Sequence, residues 1–138
     1  MNTAERKKLI DTALLARERS YSPYSKFAVG AALLTDDGEI FTGANIESSS
    51  YTPTVCSERV AFFSAVHQGK RGFKAIAIVG GKSGDKISAF TPPCGVCRQV
   101  MAEFADKDFE IILFDGECEK IYTLGELLPE SFSKDNLL

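Results

Sequence analysis

The sequence predicts an α/β fold, a three-layer α/β/α sandwich around a mixed sheet of roughly five strands. The first reason is that segments alternate in the order helix, two strands, helix, strand, helix, strand. The second is length, because 138 residues can bury one sizeable core and so indicate one domain over residues 1–138. The third is composition, since 44% hydrophobic and 25% charged residues are typical of a globular chain.

The first half of the chain supplies one helix and a hairpin. Apolar residues recur at helical spacing and predict an amphipathic helix over about residues 3 to 19. Residues 27 to 34 have a short apolar strand pattern that stops at a turn over residues 36 to 38. Extended chain restarts at residues 39 to 43, so a β-hairpin is the simplest interpretation.

The second half alternates helices with single strands. Helical spacing returns at Cys56, and Gly69 is the expected stop of that helix. The next apolar run is uninterrupted, which suits a strand in the middle of a sheet. The predicted elements are a helix over residues 56 to 66, a strand over 75 to 79, a helix over 95 to 105, a strand over 110 to 114 and a short helix over 124 to 128.

The charge balance argues against a nucleic-acid partner. A net charge of -3 and a pI of 5.2 offer no general attraction to a phosphate backbone, and the basic run at residues 6 to 8 fits a solvated helix face. The N-terminus lacks the apolar core of a secretion signal, and no apolar run is long enough to cross a bilayer. We therefore expect a cytoplasmic protein that does not bind membranes, whose four cysteines are metal ligands or free thiols.

Three cysteines and one carboxylate form the strongest motif. Cys94 and Cys97 have the C-x-x-C spacing that brings two sulfurs to one ion at a helix entry, although a redox dithiol has the same spacing. Cys56 adds a third thiol close to Glu58, at the start of another predicted helix. This combination favours a metal site over a redox pair.

The predicted metal site is open, and an open site is typical of catalysis. Three thiolates at two helix N-termini leave a fourth position for water, whereas a structural zinc usually has four protein ligands. Cys118 lies in a distant turn and is interpreted as a spare thiol, and His67 is interpreted as a surface residue. Because three thiolates exceed the charge of Zn²⁺, Arg59 and Arg98 are candidate hydrogen-bond donors to the sulfurs, with ordinary surface arginines as the alternative.

Five segments carry a resemblance that covers nearly the whole chain. They are residues 27–33 (Phe-Ala-Val-Gly-Ala-Ala-Leu), 43–47 (Gly-Ala-Asn-Ile-Glu), 56–59 (Cys-Ser-Glu-Arg), 93–99 (Pro-Cys-Gly-Val-Cys-Arg-Gln) and 127–132 (Leu-Leu-Pro-Glu-Ser-Phe). The pattern Cys-x-Glu followed by Pro-Cys-x-x-Cys is similar to the zinc deaminase signature, in which the glutamate is the acid and base and not a ligand. In order and spacing, the chain resembles the small homotetrameric zinc-dependent cytidine deaminases.

The resemblance implies hydrolytic deamination of cytidine and deoxycytidine to uridine and deoxyuridine, with release of ammonia, in pyrimidine salvage. One Zn²⁺ per chain, held by Cys56, Cys94 and Cys97, is expected to activate water for attack on C4 of the base. Glu58 is expected to carry protons from that water to N3 and to the departing ammonia. In isolation, Glu58 would be interpreted as a solvated carboxylate in a first helical turn.

The resemblance also implies substrate contacts. Asn45 and Glu47 alternate at a strand end, so both side chains can point the same way and bind the 3′-hydroxyl of the sugar, although turn formation is a competing account of Asn45. Phe27 is expected to pack against the base, with a core position as the default. Phe132 and Tyr51 are expected to reach the substrate of a neighbouring subunit, which makes the active sites composite and the homotetramer necessary.

Ser57 and a run of serines depart from the family pattern. The family usually has alanine between the ligand cysteine and the catalytic glutamate, where this chain has Ser57. The backbone carbonyl of Ser57 can still accept a hydrogen bond from the amine of the base, while the effect of its hydroxyl on substrate tolerance is left open. The serines at positions 48 to 50 leave the conformation of the local substrate loop open.

Alternative functions remain open from the sequence. A deaminase of a cytosine-containing antibiotic, of the blasticidin S type, has a similar size and zinc motif, but Arg59 and the segment around Phe132 favour the nucleoside enzyme. A deaminase of nucleic acid is disfavoured by the acidic charge balance and the short loops. From other classes, the alternatives are a non-catalytic zinc-binding module and a dithiol redox protein. Glu58 beside an open coordination site argues against the module.

Overall fold

One mixed sheet carries the five strands of the chain, and helices cover both of its faces. The computed structural model describes residues 1–138. The elements are α1 (Thr3–Arg17), β1 (Phe27–Thr35), β2 (Ile40–Ala44), α2 (Ser57–His67), β3 (Phe73–Lys82), α3 (Gly95–Phe104), β4 (Glu110–Phe114), β5 (Glu119–Thr123), α4 (Leu124–Leu127) and a 3₁₀ turn at Lys134–Asn136. None of the helices combines the length and the apolar character that crossing a bilayer requires.

The strands lie side by side in the order β2-β1-β3-β4-β5. β1 is antiparallel to both of its neighbours, and its register with β3 begins with Phe27 opposite Lys82. β3 and β4 are parallel, so the chain must cross over between them, and α3 forms part of that crossover. β5 completes the sheet as an antiparallel edge strand. The predicted mixed sheet of roughly five strands is confirmed.

Two separate apolar clusters fill the spaces between the sheet and its helical layers. On one face, the buried side of α1 packs on β1, β3 and β4. On the other face, α2 and α3 enclose a larger cluster around Phe62 and Met101, which are both fully buried. Ile76 and Ala77 are neighbours in β3 and belong to opposite clusters, as the alternation of side chains along a strand requires. The predicted three-layer α/β/α sandwich is therefore confirmed.

Two glycines let helices approach the sheet closely. A side chain at Gly30 of β1 would place its Cβ 2.2 Å from the carbonyl oxygen of Ala13 in α1. A side chain at Gly43 of β2 would place its Cβ 2.2 Å from the carbonyl oxygen of Ser57, at the start of α2. Both distances are far below van der Waals contact, so only glycine fits at these crossings. The Gly43 contact fixes the position at which α2 begins.

The main differences from the sequence-based prediction concern α1, β3 and β5. β3 spans Phe73–Lys82 rather than residues 75 to 79. α1 ends at Arg17 rather than at residue 19, because the N–H groups of Glu18, Arg19 and Ser20 bond three residues back and close the helix. β5 had no predicted position, and the structure places it at Glu119–Thr123. Its first three residues are exposed and its last two are half-buried, so the sequence offers no apolar run that would identify it.

Candidate metal centre and substrate cavity

Three cysteine sulfurs converge where two helices begin. Cys56 is the N-cap of α2 and Cys94 is the N-cap of α3, so each ends an extended segment. Cys97 lies in the first turn of α3 and is buried, and its backbone N–H donates to the Cys94 sulfur at 3.4 Å. The three sulfurs lie within 4.8 Å of one another, and those of Cys56 and Cys94 are 3.8 Å apart. The fold thus brings the three thiols into one cluster.

The sulfur geometry fits a tetrahedral metal ion. Zn–S bonds of about 2.3 Å at tetrahedral angles separate two sulfurs by about 3.8 Å, which matches the distance between Cys56 and Cys94. That distance is far longer than a disulfide bond, and all four cysteines are free thiols. Cys118, the fourth, is exposed and outside the cluster. Soft thiolates in a tetrahedral arrangement favour Zn²⁺, so the donor set fits one zinc ion.

Neighbouring groups lower the pKa of the Cys56 thiol to about 5. The main cause is a hydrogen bond with Cys97, which burial opposes. Arg59 adds to the lowering, since its Nη2 donates to the Cys56 sulfur at 3.3 Å. The same hydrogen bond, together with burial, raises the pKa of Cys97. These contacts favour the thiolate form of Cys56, and the hydrogen bond from Arg59 offsets part of its negative charge.

Glu58 is buried beside the sulfurs, with 4% of its surface exposed. Burial raises the pKa of its carboxyl group above the usual range. The hydroxyl of Ser57, which is itself fully buried, donates to Oε1 of Glu58 at 2.5 Å. A buried carboxyl group with a raised pKa, next to an open metal site, can both accept and release a proton.

Arg98 bonds to backbone carbonyl groups rather than to a cysteine sulfur. Its Nε donates to the Pro93 carbonyl oxygen at 2.8 Å, and its Nη1 donates to the Leu127 carbonyl oxygen at 2.7 Å. The structure therefore differs from the expected sulfur contact, because the planar guanidinium satisfies two carbonyl groups at once. Arg98 joins the start of α3 to the end of α4.

A cavity of about 380 Å³ lies on the segments that precede β1 and α2. Ile46 and Val55 form an isolated β-bridge. This bridge places Glu47, which follows β2, next to the residues that lead into Cys56. The cavity is lined by Tyr24, Ser25, Glu47, Tyr51 and Thr54.

Three donors hold the Glu47 carboxylate in this cavity. Its Oε1 accepts the backbone N–H groups of Tyr24 at 3.0 Å and Ser25 at 3.1 Å, and its Oε2 accepts the Ser25 hydroxyl. These bonds lower the pKa of Glu47, with the Ser25 hydroxyl as the main cause. The sequence analysis assigned no role to Tyr24 and Ser25, which lie between the predicted first helix and the predicted strand over residues 27 to 34. Their position just before Phe27 was the available signal.

Asn45 is buried and uses most of its hydrogen-bonding capacity inside the protein. Its Oδ1 accepts the Ser20 hydroxyl at 2.5 Å and the Val29 N–H at 2.9 Å, and its Nδ2 donates to the Phe27 carbonyl oxygen at 2.8 Å. The amide group retains a single N–H for a ligand. The hydrogen bonds of Asn45 therefore connect the start of β1 to the residues that follow β2.

Three aromatic residues expose large parts of their side chains. The exposed fractions are 42% for Phe27, 73% for Tyr51 and 61% for Phe132. Tyr51 has a left-handed backbone with φ of 61°, and its ring meets that of Tyr24 edge to face, with centroids 6.4 Å apart. Gln99 donates to the Phe132 carbonyl oxygen at 2.7 Å, which holds the C-terminal segment on α3. Tyr21, Tyr24 and Phe63 are exposed to a similar degree, so exposure by itself does not distinguish these three residues.

Known proteins are similar to this chain over most of its length. A family model described as the cytidine and deoxycytidylate deaminase zinc-binding region matches residues 3–113. A cytidine deaminase of Sporosarcina psychrophila is 49% identical over 132 residues, which cover 94% of this chain and 93% of that protein. A blasticidin-S deaminase of Bacillus cereus is 33% identical over 114 residues, which cover 80% of this chain and 81% of that protein.

Solved structures of cytidine deaminases are also similar to this chain. The crystal structure of a cytidine deaminase from Burkholderia pseudomallei superimposes with a TM-score of 0.85 at 42% sequence identity. The superposition covers 96% of this chain and 100% of that chain. Sequence match, fold and the thiol cluster with its adjacent carboxyl group agree, and the chain belongs to the cytidine and deoxycytidylate deaminases that share a zinc-binding region.

Proposed function

We propose that this chain hydrolyses the exocyclic amine of cytidine and deoxycytidine, which releases ammonia and yields uridine and deoxyuridine for pyrimidine salvage. The observation that carries the proposal is the buried Glu58 carboxyl group beside three converging thiols. Such a pair of features suits metal-assisted hydrolysis. The substrate is supported by the similarity to proteins named cytidine deaminase.

In this proposal Cys56, Cys94 and Cys97 hold one zinc ion per chain. When bound there, the ion would act as a Lewis acid and lower the pKa of water at the site. Arg59 donates to the Cys56 sulfur and so offsets the negative charge of the three thiolates. Arg98 supports the start of α3 through its two carbonyl bonds, and so acts on the sulfurs through the backbone.

Glu58 is the proposed proton shuttle. Its carboxylate accepts a proton from the attacking water and delivers it to N3 of the base. It then accepts the proton of the hydroxyl group newly added at C4 and delivers it to the amine, which departs as ammonia. A carboxyl group whose pKa is raised by burial suits both transfers near neutral pH. The Ser57 carbonyl group is assigned to accept a hydrogen bond from the amine of the base.

The sugar is assigned to Asn45 and Glu47, and the base to Phe27. Asn45 retains one N–H and Glu47 retains acceptor capacity, so both can bind the 3′-hydroxyl group. Because ribose and deoxyribose both carry that hydroxyl, both nucleosides are proposed substrates. Phe27 is exposed at the start of β1, where its ring can pack against the base.

We further propose a homotetramer with composite active sites. Phe132 and Tyr51 expose most of their side chains and are assigned to cover substrate in neighbouring subunits. Each subunit is one domain over residues 1–138, a proposal supported by the single sheet. Four free thiols suit the reducing cytoplasm, the proposed location. Sedimentation of the active protein as a monomer would contradict the tetramer.

The test of the activity is the absorbance change when purified protein is mixed with cytidine, before and after metal chelation. Loss of the amine alters the pyrimidine spectrum directly. Conversion that depends on zinc is the expected result. Zinc-loaded protein that leaves cytidine unchanged would contradict the proposal.

Glu58→Gln tests the proton shuttle. The variant is expected to keep its zinc and to lose kcat by a factor of about 10²–10⁴, because an amide cannot accept the proton. Glu103→Gln, on the exposed side of α3, is the matched control and is expected to keep the wild-type rate. Wild-type turnover by zinc-loaded Glu58→Gln would refute the role.

A deaminase of a cytosine-containing antibiotic, of the blasticidin S type, is the second candidate. The similarity to the Bacillus cereus enzyme supports it, at lower identity than the similarity to cytidine deaminases. Comparison of kcat/KM for cytidine and blasticidin S separates the two, with a higher value expected for cytidine. A non-catalytic zinc-binding module would hold zinc and convert neither compound.

A further inference from the structure

The Glu47 carboxylate has one acceptor position that the protein does not use. A carboxylate offers about four such positions, two on each oxygen. On Oε1 both are taken, by the N–H groups of Tyr24 and Ser25. On Oε2 one is taken, by the Ser25 hydroxyl. The remaining position on Oε2 is available to a ligand in the cavity that these residues line.

The Ser25 hydroxyl differs from the two backbone donors because it alone bonds to Oε2. The N–H groups fix Oε1, but a carboxylate held at one oxygen can still rotate and carry the other oxygen away. The hydroxyl provides a second fixed point and stops that rotation. It is also the main cause of the lowered pKa of Glu47, which is consistent with a strong contact to the ionised form.

We propose that Ser25 is a positioning residue for sugar binding, whose hydroxyl fixes Glu47 Oε2 so that a single free acceptor position faces the 3′-hydroxyl of the nucleoside. The inference rests on the proposed function, in which Glu47 binds that hydroxyl. In this proposal the contact binds the ground state and the transition state of the substrate equally. Its loss therefore raises KM and leaves kcat nearly unchanged.

Steady-state kinetics of Ser25→Ala with three nucleosides tests the proposal. For cytidine and deoxycytidine, KM is expected to rise about tenfold, with kcat within about twofold of the wild type. For 2′,3′-dideoxycytidine, which lacks the 3′-hydroxyl, the variant and the wild type are expected to have the same KM. A general loss of structure would instead affect all three nucleosides.

Two further variants distinguish the effect of the Ser25 hydroxyl on KM from the effect of the rest of the side chain. Ser25→Thr keeps the hydroxyl and is expected to restore most of the wild-type KM for cytidine. Glu47→Gln is expected to raise KM, and adding Ser25→Ala to it is expected to change KM by less than about twofold, because both changes act on one contact.

Either of two results overturns the role of Ser25. One is an unchanged KM for cytidine in Ser25→Ala, and the other is an equal rise in KM for the dideoxynucleoside. Both are measured against a wild-type protein that turns over cytidine, so they leave the deaminase function in place. Failure of the wild type to convert cytidine would overturn that function itself, and the role of Ser25 with it.

Discussion

The Ser57 hydroxyl is an uncharged donor to the carboxyl group of Glu58, the proposed proton shuttle. It contacts Oε1 of Glu58 at 2.5 Å, and both residues are buried. The ion pairs of the chain do not include Glu58. This hydrogen bond contributes to the orientation of Glu58, together with a hydrogen bond that involves Cys97.

Ser57→Ala is expected to lower kcat about tenfold, because a hydrogen bond to a charged group is lost and the carboxyl group can turn. KM for cytidine and the zinc content are expected to stay at wild-type values. Single-turnover kinetics measures the chemical step directly. Ser64→Ala, at an exposed position of the same helix, is the control and is expected to be neutral. An unchanged kcat in Ser57→Ala would show that Glu58 is oriented by other contacts.

At single residues, the sequence revealed the candidate ligands better than it revealed their supporting contacts. The spacing of Cys94 and Cys97 is local and is read directly from the chain. By contrast, Arg98 bonds to the carbonyl group of Leu127, which is distant in sequence. Ser25 reaches Glu47 only because the segment before β1 folds against the end of β2. Such partners depend on the tertiary fold, which a one-dimensional pattern does not contain.

At the scale of elements, Gly43 controls how β2 and α2 meet. A Cβ at this position would lie 2.2 Å from the Ser57 carbonyl oxygen and 2.6 Å from the Ala61 nitrogen. Both are backbone atoms of α2, so the helix would have to move as a unit. The start of α2 carries Cys56 and Glu58, and the site therefore depends on a residue that does not contact the substrate.

Gly43→Ala is expected to reduce the free energy of unfolding by about 3 kcal/mol, the cost of overpacking at a rigid crossing. Chemical denaturation of the zinc-free protein measures it without a contribution from the metal. Gly125→Ala, in α4, is the matched control, since its Cβ would come no closer than 3.4 Å to its neighbours. That change is expected to be neutral or slightly stabilising. Equal stability of the two variants would contradict the close approach at Gly43.

Elements with strong periodicity were predictable, and the edge strand β5 was not. α2 and α3 were placed correctly to within a residue or two because their apolar spacing and their cysteine caps mark the helix starts. β3 is buried along most of its length and was recognised from its apolar run. β5 is an edge strand whose side chains are mostly exposed, so it is held by pairing with β4 rather than by burial.

For the whole molecule, a metal ion is a cross-link between two helices. An ion that binds only the folded chain stabilises it by about 4 kcal/mol at a free concentration 1,000 times the Kd. Chelation is therefore expected to lower the Tm by roughly 10 °C for a chain of 138 residues. Differential scanning calorimetry with and without chelator measures this shift.

Two cysteine variants provide the controls for the chelation experiment. Cys118→Ser removes an exposed thiol outside the cluster and is expected to show the full shift. Cys97→Ser removes a ligand and is expected to show a low Tm that chelation does not change. A wild-type Tm that is insensitive to chelation would argue against a zinc ion that joins α2 and α3.

A surface ion pair joins Asp37 and Lys70, whose side chains are 2.7 Å apart. The hydrogen bond from Lys70 is the main cause that lowers the pKa of Asp37 from its ordinary 3.8 to about 2. A lowered pKa means that the folded state favours the ionised form. The stabilisation by Asp37 is therefore complete above the ordinary pKa and is lost as the pH falls toward 2.

Asp37→Asn is expected to be less stable than the wild type at pH 5, and the difference is expected to shrink between pH 4 and pH 2. Thermal unfolding of both proteins without metal, at intervals of pH, measures the difference. In a Lys70→Met background, the pH dependence of the difference is expected to weaken. A difference in stability between wild type and Asp37→Asn that stays constant from pH 4 to pH 2 would contradict a contribution of the Asp37–Lys70 pair to acid stability.

The division of the thiols between two helix starts has a consequence for protein synthesis. Cys56 and Cys94 are 38 residues apart. At about 5–20 residues per second, the ribosome adds the second about 2–8 s after the first. During that interval the nascent chain carries one thiol of the cluster without the other two. All three thiols are therefore available to a zinc ion only after Cys97 has been added to the chain.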